Sequence, residues 1–109
     1  MSRTLTQLNS EVTDAILAAE RLERSGVTVE SRRAWQEVSR IEEAIAGELA
    51  AKTLQGAIAR CGAVSAAFSA EDWARVSALA ARYLADPSLH AADRADIEAM
   101  AESARAQGP

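Results

Sequence analysis

The chain has 109 residues, a net charge of −4 and a hydrophobic content of 49%, nearly half of it alanine: 26 residues, against four aromatics and 21 Leu, Ile, Val and Phe together. Alanine has the highest helix propensity and strand formers are scarce, so these numbers exclude a β-sandwich or a doubly wound sheet and point to one all-α domain. The charge is too low for disorder, and the acidic balance (16 acids, 12 bases) disfavours non-specific nucleic-acid binding.

The first helix carries Leu5, Leu8, Val12, Ala15, Ala19 and Leu22 at alternating steps of three and four, with Ile16 and Leu17 widening the stripe. Thr4 and Gln7 have the spacing of a capping box, and Ser25-Gly26 is a stop, since glycine takes the left-handed position without a Cβ clash. Thr28 is the expected N-cap of a second helix from about Val29 to about Ala51, with Glu30 in its first turn. Its apolar face is Ala34, Trp35, Val38, Ile41, Ile45 and Leu49; Arg32, Arg33, Glu37, Arg40 and Glu43 form the other. The short connector predicts that these two helices are antiparallel neighbours.

A five-residue step from Leu49 to Leu54 breaks the phase; a kink at Lys52-Thr53, a short turn with Thr53 as N-cap and a continuous helix that changes face each account for it, and a break is the favoured reading. Leu54, Ile58, Cys61, Val64 and Phe68 then form a third stripe. Gly56 and Gly62 interrupt it, each at ~1 kcal/mol against alanine, which implies close backbone packing there. Ser69-Ala70-Glu71-Asp72 is read as the next start, with Ser69 as N-cap. Trp73, Val76, Ala80, Tyr83 and Leu84 share a face until Asp86-Pro87. A last helix over about Ala91 to Arg105 turns Ile97, Met100, Ala101 and Ala104 inward, and Gln107-Gly108-Pro109 should fray.

The expected fold is therefore all-α: a mostly antiparallel bundle of four or five helices with Ala-rich close packing. It forms a single domain over 1–109, divisible into a hairpin over 1–52 and a hairpin plus final helix over 53–105. Residues 53–87 have the size of one tetratricopeptide hairpin, but residues 1–52 do not repeat it and a stable stack needs ~3 units, so no family follows. No signal peptide or membrane-length apolar run is visible, and the single cysteine excludes an internal disulfide framework, so the cytoplasm is the expected compartment.

Candidate chemistry is sparse. Cys61 lies in an apolar stripe without a nearby histidine and reads as a buried, inert thiol. His90 with Asp93 cannot fill a metal shell, which leaves a capping or solvent-facing role. Among Glu37, Glu42, Glu43 and Glu48, only Glu42 approaches the apolar side, where a carboxyl pKa would rise. Gln55-Gly56 and Cys61-Gly62 lack the surroundings of a phosphate loop. Arg21, Arg24, Arg32, Arg33 and Arg40 surround the first connector, but Glu20, Glu23, Glu30 and Glu37 interleave with them. Trp35 and Trp73 are packing anchors, and either could line a partner groove.

These features predict no enzyme, cofactor or metal. They predict a protein–protein interaction module, an adaptor, accessory subunit or assembly component, that binds a protein partner or a second copy and no membrane. Leu5, Leu8, Val12, Ile16, Leu22 and Trp35 are its candidate contact residues, with Glu11, Arg21 and Glu23 bordering the stripe. A helix-turn-helix-like DNA regulator using the Arg-bearing second helix is the alternative.

Overall fold

Five helices, α1 (Leu5–Arg24), α2 (Thr28–Gly47), α3 (Leu54–Ser69), α4 (Trp73–Leu84) and α5 (Ala91–Gln107), make up a computed structural model that describes residues 3–107. There is no strand among the described residues. The expected all-α architecture is present, with a break between α2 and α3. Gln107 is the last helical residue, and Gly108 and Pro109 lie outside the described residues.

Local chemistry sets most boundaries. Thr4 Oγ1 accepts from the Gln7 amide while Gln7 returns a bond to the Thr4 amide, which completes the capping box. At the other end of α1, Gly26 has φ of 75°; its amide bonds to Glu23 O and the Val27 amide to Leu22 O. That pair of bonds is a Schellman motif. The turn is so tight that Val27 closes α1 and precedes α2 at once. The N-cap of α2 is thus Val27, which makes no side-chain bond, and Thr28 is already helical. The second helix also ends earlier than expected, at Gly47, and residues 48–53 turn the chain into α3. Thr53 caps α3, its hydroxyl accepting from the Gly56 amide at 3.0 Å.

The α3–α4 junction corrects the reading of Ser69. Ser69 is the last residue of α3, not the cap of α4. A second Schellman motif follows, with the Asp72 amide on Ala67 O and the Glu71 amide on Phe68 O. Glu71 takes the left-handed position, at φ 56°, that glycine takes after α1. Asp72 then caps α4, its carboxylate accepting from the Arg75 amide at 3.1 Å. Arg32 of α2 holds the Glu71 carboxylate at 2.8 Å, which ties the junction down.

Packing is layered along the chain. α1 packs on α2 alone, α2 on α3, and α3 also on α4 and α5. The face of α3 that meets these neighbours is not the stripe of larger residues. Gly56, Ala57, Ala59, Ala63, Val64, Ala66 and Ala67 are buried, while Leu54 is 72% and Ile58 52% exposed. Small residues win the interior because three helices must approach one; a wider side chain on that arc would hold them apart. Leu79 of α4 and Leu89 of the following loop join the core, as do Ile97, Ala101 and Ala104 of α5. Trp73 packs edge-to-face on Phe68 with ring centroids 5.0 Å apart.

Replacing Asp72 by Ala removes a cap and should cost ~1 kcal/mol, a fall of roughly 4 °C or more in the thermal midpoint. Ser69→Ala, at an exposed helix end, should leave the midpoint unchanged. Calorimetry on both variants checks the assignment, and the reverse order of effects would contradict it.

Candidate functional site

The arc of α3 left outside the core is unusual in what it lacks. Leu54, Ile58, Cys61 and Ser65 follow one another at steps of four and three and share one face of the helix, with Gly62 and Ser69 beside them. None is charged, and Arg60, the only charged residue of α3, points elsewhere. A surface helix normally turns charged groups to water. Here water meets two large aliphatic side chains instead.

At Cys61, Gly62 and Ser65 this face is the floor of a trough, and Ile58 and Leu54 continue it toward the start of α3. On one side α5 rises with Asp96, Ala99 and Met100, enclosing with Cys61, Gly62 and Ser65 a groove of about 430 Å³. On the other side stands α2, whose Glu42 carboxylate lies directly over Gly62, so that a Cβ there would overlap it. Gly56 is confined in the same way by the Ala50 carbonyl. Both glycines thus mark close approaches, as their helix-interior cost implied.

The walls are acidic. Glu42, Asp93 and Asp96 form no ion pair among the described residues. Burial pushes the Glu42 carboxyl up to about 7. Burial, reinforced by Asp93 and Asp96, also pushes the Cys61 thiol up to about 11. Its Sγ lies 3.9 Å from Asp93 Oδ1, so the thiol faces a carboxylate and holds its proton. Cys61 is only half-buried: it packs against the edge of the core and lines the trough floor. The described residues include no group of acids, histidines and cysteines arranged to hold a metal ion.

A second polar assembly joins α2, α3 and α4. Ser39 is fully buried; its hydroxyl donates to Ala63 O at 2.7 Å and accepts from Arg75 Nε at 2.8 Å. Arg75 also binds Glu43 at 2.6 Å, and Arg82 binds the other Glu43 oxygen at 2.5 Å. Burial works to raise the Glu43 pKa, but bonds from Arg82 and Arg75 outweigh it and hold the carboxyl below its ordinary range. Glu43 therefore belongs to an interhelical contact and not to the solvated face on which the sequence placed it. The signal that could have found it is its one-turn spacing from Ser39, matched by Arg75 and Arg82 two turns apart on α4.

The residues singled out on α1 lie elsewhere. Leu8 and Val12 are buried, Ile16 and Leu22 are half-buried, and Leu5 is 37% exposed at the helix start. α2 is the surface that covers this stripe. Trp35 is half-buried, its Nε1 donating to Glu23 at 2.9 Å. Of the arginines near the first connector, Arg32 is paired with Glu71 and Arg40 with Glu37. His90 is exposed and its Nε2 donates to the Lys52 carbonyl at 2.9 Å, linking the two loops that flank α3 and α5. No helix of the described residues is long and apolar enough to cross a membrane.

The Glu42 pKa gives a signed expectation. The folded chain holds a proton that the unfolded chain, with an ordinary value of 4.5, releases, so stability contributed here falls as pH rises from about 4.5 to about 7. Glu42→Gln removes that dependence. Urea midpoints at pH 5 and pH 8 should show the variant gaining on the wild type at the higher pH. An equal difference at both pH values would contradict the buried placement of this carboxyl.

Compared with protein-family models, curated proteins and solved structures, the chain matches none.

Proposed function

We propose that the protein is a non-enzymatic interaction module that docks a basic, amphipathic helix of a partner protein in the trough on α3. The observation that carries this reading is the charge-free outward face of α3, on which the exposed Leu54 and Ile58 continue the line of the acid-walled groove at Cys61, Gly62 and Ser65. Covering each of these side chains is worth roughly 1–2 kcal/mol, given that both are already partly shielded. An apolar stripe on the incoming helix supplies the cover, and lysine or arginine on its flanks meets Asp93 and Asp96. This is helix-in-groove recognition, with complementary charge setting orientation and encounter rate. A second copy of the chain is a poorer occupant, because its net charge of −4 would be brought against the same acids.

A fluorescent Leu/Lys amphipathic model helix tests the reading by anisotropy, with a Leu/Glu helix of the same pattern as control. The Leu/Lys helix should bind saturably and the Leu/Glu helix should not. Ile58→Ser should weaken binding about tenfold, while Leu17→Ser, which removes an apolar group 52% exposed on α1, should leave it unchanged. Absence of saturable binding, or equal losses in the two variants, would overturn the assignment.

A further inference from the structure

Arg60 leaves α3 on the side away from the trough and enters a cleft of about 340 Å³ bounded by Glu43, Gly47, Arg82, Tyr83 and Asp86. Two guanidinium groups flank one phenol there: the Arg60 and Arg82 carbons lie 5.6 and 5.3 Å from the Tyr83 ring centroid. Tyr83 is only 6% exposed, and its hydroxyl is closed to solvent; the Arg82 guanidinium approaches its oxygen, but no group accepts its proton. A buried hydroxyl proton without an acceptor carries a desolvation cost of about 1–3 kcal/mol. Between two arginines, donors themselves, it lacks an acceptor.

The acids of the cleft do not fill that need. Glu43 is taken up by Arg75 and Arg82. The Asp86 carboxylate accepts from the amide and hydroxyl of Ser88 at 2.9 and 2.7 Å. Arg94 braces the rim through the Leu84 and Asp86 carbonyls. Four arginines (60, 75, 82 and 94) thus gather round two acids in a protein that is acidic overall. Arg60 spends one nitrogen on the Gly56 carbonyl, and Arg82 bonds Glu43 and lies beside the Tyr83 hydroxyl, so neither fork is used in full. Arg82 is also the movable partner: its side chain is largely exposed, and Glu43 keeps Arg75 if Arg82 swings away.

We propose that this cleft is a binding site for a phosphate-class oxyanion, gripped by Arg60 and Arg82 with the Tyr83 hydroxyl as third donor. Donors converging from three groups suit a tetrahedral oxyanion, whereas a planar carboxylate is satisfied by one fork. The anion provides the acceptor that Tyr83 lacks. The cleft exceeds the volume of phosphate itself, so an ester of modest size also fits.

Titration of the full chain by 15N NMR tests this, with inorganic phosphate, glycerol 3-phosphate and acetate as probes. Phosphate should shift the Arg60 and Arg82 Nε–H signals saturably, and acetate should bind at least fivefold more weakly. If glycerol 3-phosphate binds as well as phosphate or better, the site takes phosphate esters; if only inorganic phosphate binds, it takes the free ion. Both outcomes support the site. Tyr83→Phe should weaken phosphate binding about fivefold without lowering the thermal midpoint, since it deletes a buried hydroxyl whose proton has no acceptor. Arg82→Gln should weaken it further, and Arg32→Gln, at a distant surface pair, should have no effect. The proposal is overturned if phosphate shifts are linear to tens of millimolar, if acetate binds equally well, or if Tyr83→Phe and Arg82→Gln leave the affinity unchanged.

Discussion

The alanine face of α3 is the constraint on which the rest of the molecule depends. Ala57, Ala59, Ala63, Ala66 and Ala67 allow α2, α4 and α5 to lie close against one helix. Each alanine buries little apolar area, so the hydrophobic return per residue is small and must be made up by close contact and by polar bonds. The Ser39 bond to the Ala63 carbonyl shows how the two combine. A backbone carbonyl in mid-helix is reachable from a neighbouring helix only where no larger side chain stands in front of it. Ser39 reaches it, Arg75 satisfies the remaining capacity of the hydroxyl, and Glu43 and Arg82 carry the chain of bonds to the surface. No member of that buried network is left unpaired, which is the condition under which it stabilises rather than costs.

Giving the interior to small residues has a consequence for the outside. The two largest aliphatic residues of α3, Leu54 and Ile58, are turned to solvent, and its single charge is turned to the opposite side. The two candidate sites are therefore two faces of one packing solution. The trough is where α3 has no charge to offer water. The Tyr83 cleft is where Arg60 meets the arginines of α4. Cys61, on the trough floor beside Asp93, is held as a thiol by burial first and then by the carboxylates that make the trough acidic.

Much of the fold could be read from residues whose chemistry acts locally. Thr4 with Gln7, Gly26 and Thr53 each set a helix end through bonds within four residues, and each does so in the structure. Ser69 failed because Ser and Asp are equally good caps and α3 runs on through Ser69: Glu71 closes it in a left-handed conformation that its residue type does not announce, which leaves Asp72 as the cap. Val64 of the expected stripe is core and Phe68 packs against it, but the exposure of Leu54 and Ile58 was not legible, because both faces of α3 are apolar and periodicity ranks faces by side-chain size. Only the number of neighbours decides which face is inside, and that is a tertiary fact. The trough residues Leu54, Ile58 and Cys61 were visible as a stripe but as core. Leu8 and Val12, expected to face a partner, are covered by α2. Arg60, Arg82 and Tyr83 lie on different helices at spacings that no motif links.

The most direct measurement of this account compares two substitutions in α3 by urea denaturation. Ala67→Val adds two methyl groups to a fully buried small position and should cost about 1–3 kcal/mol by overpacking. Ile58→Ala removes a large side chain from the exposed face and should change stability by no more than about 0.5 kcal/mol. If Ile58→Ala instead costs the ~2–5 kcal/mol of a core isoleucine and Ala67→Val is tolerated, the larger residues of α3 are its core and the alanine face is not.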